Sequence, residues 1–289
     1  MVKINTKQID GCKVLNKIPS YLTEKSIAGV IRGSELQICD MGTLGNFKRF
    51  MNKNTGIEEH SFKQSEIYRE KNWAGTKTWD EYLDILETGD EKVMKQIKVA
   101  TDLQVAELSK KYEETIINYK FDVTGQFFDV GLVLTGVPES WLEPESEIEE
   151  KVKVDLVLNG AFNAGFNQKK IVSASARILA MTKILEDNGV LVSIKLVSLN
   201  VEFDENYKKS LLAISHLKDY DEPLNYKKMS ALLSPTFHRR GLFKIMEMAE
   251  NGKLNSGYGT PRPFEGVIQL NDDRALDKLE HKLFKGGKK

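Results

Sequence analysis

Residues 152–202 constrain the fold more than any other part of the chain. Residues 152–158 are rich in valine and leucine and read as a strand; residues 159–167, with three asparagines and two glycines, read as a turn. Residues 169–187 then carry apolar positions at helical spacing and read as an amphipathic helix, stopped by Asn188-Gly189. Residues 190–201 read as a second strand. Strand, helix and strand in that order form a βαβ unit, which requires a parallel pair of strands and points to an α/β sheet. In such sheets ligands bind beyond the carboxyl ends of strands, so the 159–167 turn is the first place to look for a site.

Bulk properties narrow the class. The chain has 289 residues, 40% of them hydrophobic and 29% charged, and its formal net charge is +0. That is the balance of a soluble globular protein, with length enough for one large or two modest domains. A neutral chain has no global basic field to draw nucleic acid irrespective of sequence, although a local patch can still do so. Two cysteines, Cys12 and Cys39, do not make a disulfide framework and fit a reducing compartment. The first residues lack the apolar run of a signal peptide, and no stretch approaches the ~20 apolar residues of a membrane helix. The expectation is a cytoplasmic protein without a membrane segment.

The remaining pattern divides the chain into three expected parts: an irregular arm over 1–60, a mainly helical lobe over 61–145 and an α/β domain over 146–289. Within the arm, residues 34–41 read as a short strand and residues 46–51 as the opening of a helix. Thr78 and Glu81 form a capping box, followed by Trp79, Tyr82, Leu83 and Leu86 at helical spacing and by Gly89 as a stop. A second helix starts near Glu91, with Val93, Met94, Ile97, Val105 and Leu108 as its buried stripe. The acidic, proline-containing stretch 143–150 reads as a surface loop between lobes. Residues 206–219 fit either a helix or a buried strand. Residues 221–224 form a turn feeding a helix at 225–233, and Ser234-Pro235 caps another, with proline at the first helical position. Residues 266–270 read as a last strand and 275–284 as a last helix.

Two segments are candidate binding sites. The turn offers Asn159, Gly160, Asn163 and Gly165 as ligand residues. Its glycines do not have the spacing of a phosphate loop or of a dinucleotide fingerprint, so it also reads as a polar turn without a ligand. The second segment is His238-Arg239-Arg240. Adjacent arginines after a histidine can grip phosphate, and Tyr258 and Arg262 extend the patch, Tyr258 by stacking on a base. Alternatively the arginines pair with acids while the helix buries Leu242, Phe243, Ile245 and Met246. The four histidines are scattered, with no His-x-x-x-His or Cys-x-x-Cys spacing, so no metal site is expected. No nucleophile elbow is present, and no cofactor is expected.

The strand–polar loop–helix order resembles a von Willebrand A-type domain. The metal motif of that fold, Asp-x-Ser-x-Ser, is replaced here by Asn159-Gly160-Ala161-Phe162-Asn163, so the resemblance implies a Rossmann-like or von Willebrand A-like sheet with no metal. A second resemblance rests on two sets of short motifs. One is residues 121–125, 129–131 and 135–139. The other is Asp221-Glu222-Pro223-Leu224, Leu233-Ser234-Pro235, His238-Arg239-Arg240 and Gly257-Tyr258-Gly259. Together, across residues 73–263, they resemble an uncharacterised family of tailed-phage and prophage proteins. That resemblance implies a phage origin and an intracellular role in infection; it transfers no catalytic residue.

The resulting expectation is a non-enzymatic binding protein, an accessory to phage DNA transactions or transcription. Its partners would be single- or double-stranded DNA, or a phage or host protein. The alternatives are a virion or assembly adaptor, and an enzyme acting on nucleotides or nucleic acid through the turn with Asp155 or Asp204.

Overall fold

The computed structural model describes residues 2–50, 75–112, 152–160, 168–204, 207–242, 245 and 262–285, isolated positions within these ranges excepted. They form one mixed seven-stranded sheet with helices on both faces. The strands are β1 (Ile4–Asn5), β2 (Lys13–Val14), β3 (Glu35–Asp40), β4 (Lys153–Asn159), β5 (Leu191–Asp204), β6 (Tyr207–Lys218) and β7 (Ile268–Gln269). The helices are α1 (Glu24–Ile31), α2 (Trp79–Thr88), α3 (Glu91–Lys111), α4 (Gln168–Asp187), α5 (Tyr226–Leu232) and α6 (Asp273–Lys285), with a π-helical turn over Phe237–Leu242.

The strand order is β1-β3-β6-β5-β4-β7, with β2 hydrogen-bonded to β3. The βαβ unit forms as the pattern requires: β4 and β5 pair in parallel, Lys153 opposite Leu191 through Asn159 opposite Val197, with α4 connecting them. β5 and β6 pair antiparallel from Asp204 opposite Tyr207 onward. They therefore run as a hairpin, and the stretch that fits helix or strand is a strand over Tyr207–Lys218. Burial decides it: Leu211 and Ala213 project to one face, Leu212 and Ile214 to the other, and all four are buried. A strand buried on both faces has no polar alternation to reveal its period.

Residues 1–60, read from sequence as an irregular arm, are corrected over their described part. β1 and β3 extend the sheet in parallel beyond β6, with Leu36 and Ile38 fully buried. Two-residue strands such as β1 and β2 leave no periodic signal to read. Residues 51–74 and 121–150, which include the proposed acidic loop, lie outside the described residues.

Helix α1 covers one face of the sheet: Ile27 and Ile31 pack with Leu36, Ile38, Val157, Val197, Leu212 and Ile214. Helix α4 covers the other, with Ile171, Ile178, Leu179 and Leu185 against Leu156, Leu158, Val192, Ile194 and Leu196. The expected amphipathic α4 is in fact buried nearly all round, because α3 lies across its outer side with Val93, Ile97 and Leu108 inward. Small residues Ala174 and Ala180 belong to the same cluster as those α3 side chains. Capping follows the sequence. The Glu81 N–H donates to Thr78 Oγ1 at 3.1 Å, and the Val93 N–H donates to Asp90 Oδ1 at 2.9 Å. Gly89 has φ 77° at the end of α2. The helical lobe and the α/β domain thus share one core.

Candidate functional site

The two candidate segments, 80 residues apart in sequence, meet at the carboxyl end of β4. Asn159 is the last residue of β4, and its amide Nδ2 donates to Gln269 Oε1 on β7 at 2.8 Å. Gly160 follows, its N–H donating to the Val197 carbonyl at 2.7 Å. A Cβ at Gly160 would lie 2.8 Å from Leu196 Cγ, so glycine is required here by the packing of β5. The His238 imidazole faces the Gly160 carbonyl. Burial is the larger influence on that ring and lowers its pKa to about 3, so His238 is neutral at physiological pH. Asn163 and Gly165 lie outside the described residues.

The arginines are not on the surface. Arg239 and Arg240 retain 4% and 3% exposure, and His238 2%. Arg240 Nε donates to Thr76 Oγ1 and Nη2 to the Thr76 carbonyl, both at 2.7 Å. Thr76 Oγ1 also meets Thr236 Oγ1 at 2.7 Å. Burial lowers the pKa of both guanidinium groups, partly offset at Arg240 by the field of Glu81 and Tyr82. All three side chains of the expected phosphate-gripping patch His238-Arg239-Arg240 are thus buried, and Arg240 fixes the turn after Ser234 to Thr76. Ser234 caps that turn as expected, accepting from the Phe237 N–H at 3.3 Å. The π-helical winding is what aims three consecutive polar residues inward. Of the patch's extensions, Arg262 is exposed and Tyr258 lies outside the described residues.

In front of Thr76 opens a cleft of about 960 Å³. Its wall is formed by Gly75 and Thr76, by Glu81, Asp84 and Ile85 of α2, by Gly89 to Lys92 at the start of α3, and by Gln168 and Lys169 at the start of α4. Four carboxylates face two lysines. Asp90 is committed to capping α3, and its own N–H donates to Ser230 Oγ at 3.1 Å. A second groove, of about 440 Å³, lies between α3, α4 and α6. Its floor is Glu280, whose side chain is 3% exposed and accepts from Lys111, Tyr112 and Arg177. Burial pushes the Glu280 carboxyl up, but these three donors outweigh it and hold the pKa below the ordinary carboxylate range. That network ties α6 to the two longer helices.

The densest titratable cluster stands at the other end of the sheet. His216 of β6 bridges two carboxylates, Nε2 to Asp40 Oδ1 at 3.2 Å and Nδ1 to Asp219 Oδ1 at 3.3 Å. Hydrogen bonding to Asp40 raises the His216 pKa, against the effect of burial. Beside it Lys195 Nζ lies 2.7 Å from Asp155 Oδ1 and donates to Ser193 Oγ. The same ammonium lies 4.6 Å from the Tyr21 ring centroid and 5.6 Å from that of Tyr220. Burial first, then Asp155, pushes the Tyr220 phenol up to about 12. Sequence reasoning missed this cluster. A signal existed: Ser193 and Lys195 are polar at period two within an otherwise apolar β5, so both fall on the α1 face. Asp155, proposed for the turn, is four residues back along β4, about 13 Å away, and is paired with Lys195. Asp204 lies seven residues beyond Val197, the partner of Asn159, and turn residues 161–167 lie outside the described residues.

With this geometry in view, residues 38–282 match the family described as Domain of unknown function (DUF7192). The chain belongs to that family. No curated protein and no solved structure matches it. The DUF7192 match runs from within β3 into α6, so it takes in the cleft and all of the His216 cluster except Tyr21. Among the described residues no helix is long and apolar enough to cross a membrane. Among them, too, no three His, Cys, Asp or Glu side chains gather as metal ligands.

Proposed function

We propose that the chain is a non-enzymatic binding protein that takes a basic segment of a protein partner into the cleft at the carboxyl end of β4. The observation that carries this reading is the charge of the cleft wall. Glu81, Asp84, Asp90 and Glu91 outnumber Lys92 and Lys169, while Arg239 and Arg240 are buried behind it. An anionic wall repels a polyphosphate backbone and complements lysine or arginine side chains. The phage-family resemblance supports an intracellular setting, with an accessory or assembly-adaptor role for such binding. DNA as direct partner loses its main support with the arginines buried, and the enzymatic alternative loses Asp155, which pairs with Lys195.

The test is fluorescence polarisation with a labelled lysine- and arginine-rich peptide and with labelled single- and double-stranded DNA, at low and physiological salt. Saturable peptide binding that weakens with salt and drops in a Glu81→Gln, Asp84→Asn double variant is expected, with no DNA binding at micromolar protein. Saturable DNA binding without peptide binding would reverse the reading.

A further inference from the structure

The chain has two cysteines, and the fold brings them together. Cys12 lies immediately before β2, and Cys39 lies in β3, which pairs antiparallel with β2. The register sets Val14 opposite Cys39 and Lys13 opposite Asp40. Cys12 is two residues from Val14, so it projects to the same face of this strand pair as Cys39, one diagonal step away. Both side chains enter the same apolar cluster, Cys39 fully buried and Cys12 partly exposed. Cys12 ends a short turn, its N–H donating to the Ile9 carbonyl at 3.1 Å, with Gly11 at φ 80°. That turn stands at the start of a two-residue strand, which pairs with β3 at only two positions.

We propose that Cys12 and Cys39 form a reversible intramolecular disulfide, making the β2–β3 junction a redox modification site. The neighbouring Cys12 thiol, and burial after it, raise the Cys39 pKa strongly. The more exposed Cys12 is therefore the first nucleophile. With a low-molecular-weight disulfide as oxidant, the Cys12 thiolate attacks one sulfur and displaces a thiolate. Cys39 then loses its proton and attacks Cys12 Sγ, displacing the second thiolate. One disulfide forms in the protein, the oxidant is reduced to two thiols, and the two cysteine protons leave with them. The bond closes a loop that contains β2 and α1, so oxidation fastens the α1 face to the sheet.

The test uses the full-length chain, reduced and then equilibrated with glutathione buffers of increasing oxidised fraction. Free thiols are counted under denaturing conditions, and non-reducing peptide mass spectrometry locates any bond. The expected result is loss of both thiols together, a Cys12–Cys39 peptide lighter by two hydrogens, monomeric mobility on a non-reducing gel and full reversal by dithiothreitol. In Cys12→Ser the Cys39 thiol should stay unreacted over the same series, at least tenfold slower than in the parent. Glutathione persisting on Cys12 with Cys39 still free, or covalent dimers in place of the internal bond, would overturn the proposal.

Discussion

The two ends of β4 invert what their sequences suggest. At the carboxyl end stand a polar turn and a His-Arg-Arg run, the composition of a phosphate site, yet the structure buries all three side chains and spends Arg240 on holding the Thr76 backbone. At the amino end, Asp155 sits in an ordinary strand, yet it joins Lys195, Tyr21 and Tyr220 beside the His216 carboxylate bridge. The lesson is about burial. A guanidinium that donates to a carbonyl and a hydroxyl in the interior is structural whatever its neighbours in sequence. Titratable groups that share a half-exposed face interact whatever their separation in sequence.

This contrast can be broken most sharply at Arg240. Arg240→Ala removes two donors from Thr76 and leaves buried oxygens without them, which should cost about 3 kcal/mol of stability by urea denaturation. An unchanged midpoint would show that Arg240 is not committed to the interior. Next in size is Gly160→Ala. Its Cβ would press on Leu196 Cγ from 2.8 Å, a core overpacking worth about 2 kcal/mol, read as a lower thermal midpoint with ligand-free protein. If stability held and only peptide binding fell, the turn would be a site and not a packing point.

Changes at the amino end should be milder. Lys195→Met keeps the packing of the lysine stem but leaves Asp155, which is 32% exposed and can take water instead, so a loss of about 1 kcal/mol is expected. The smallest effect, and the most diagnostic, is the pH dependence of His216. Its folded pKa is raised above the unfolded value of 6.5. Its stabilising contribution is thus complete below that value and is lost as pH rises through the folded pKa. His216→Asn should flatten the fall in stability above neutrality while lowering stability near pH 5 by less than about 1 kcal/mol. Chemical-shift titration of the His216 ring gives the same answer independently, and an unshifted ring would dissolve the cluster as an electrostatic unit.

Much of the architecture was legible because it is local. The βαβ unit, the Thr78 cap, the Gly89 stop and the terminal α6 each follow from periodicity or from one hydrogen bond within a few residues. Sequence alone therefore determined the α/β class and most helix ends. Tertiary structure decided everything that depended on which distant residue lay opposite. It placed β1 and β3 in the sheet, resolved Tyr207–Lys218 as a strand and turned His238-Arg239-Arg240 inward. It also set Asp40 beside His216 and Cys12 against Cys39. The physical reason is that hydrogen bonds within a helix or cap are specified by chain neighbours, whereas strand pairing and the burial of a charge are settled by the energy of the whole packed core.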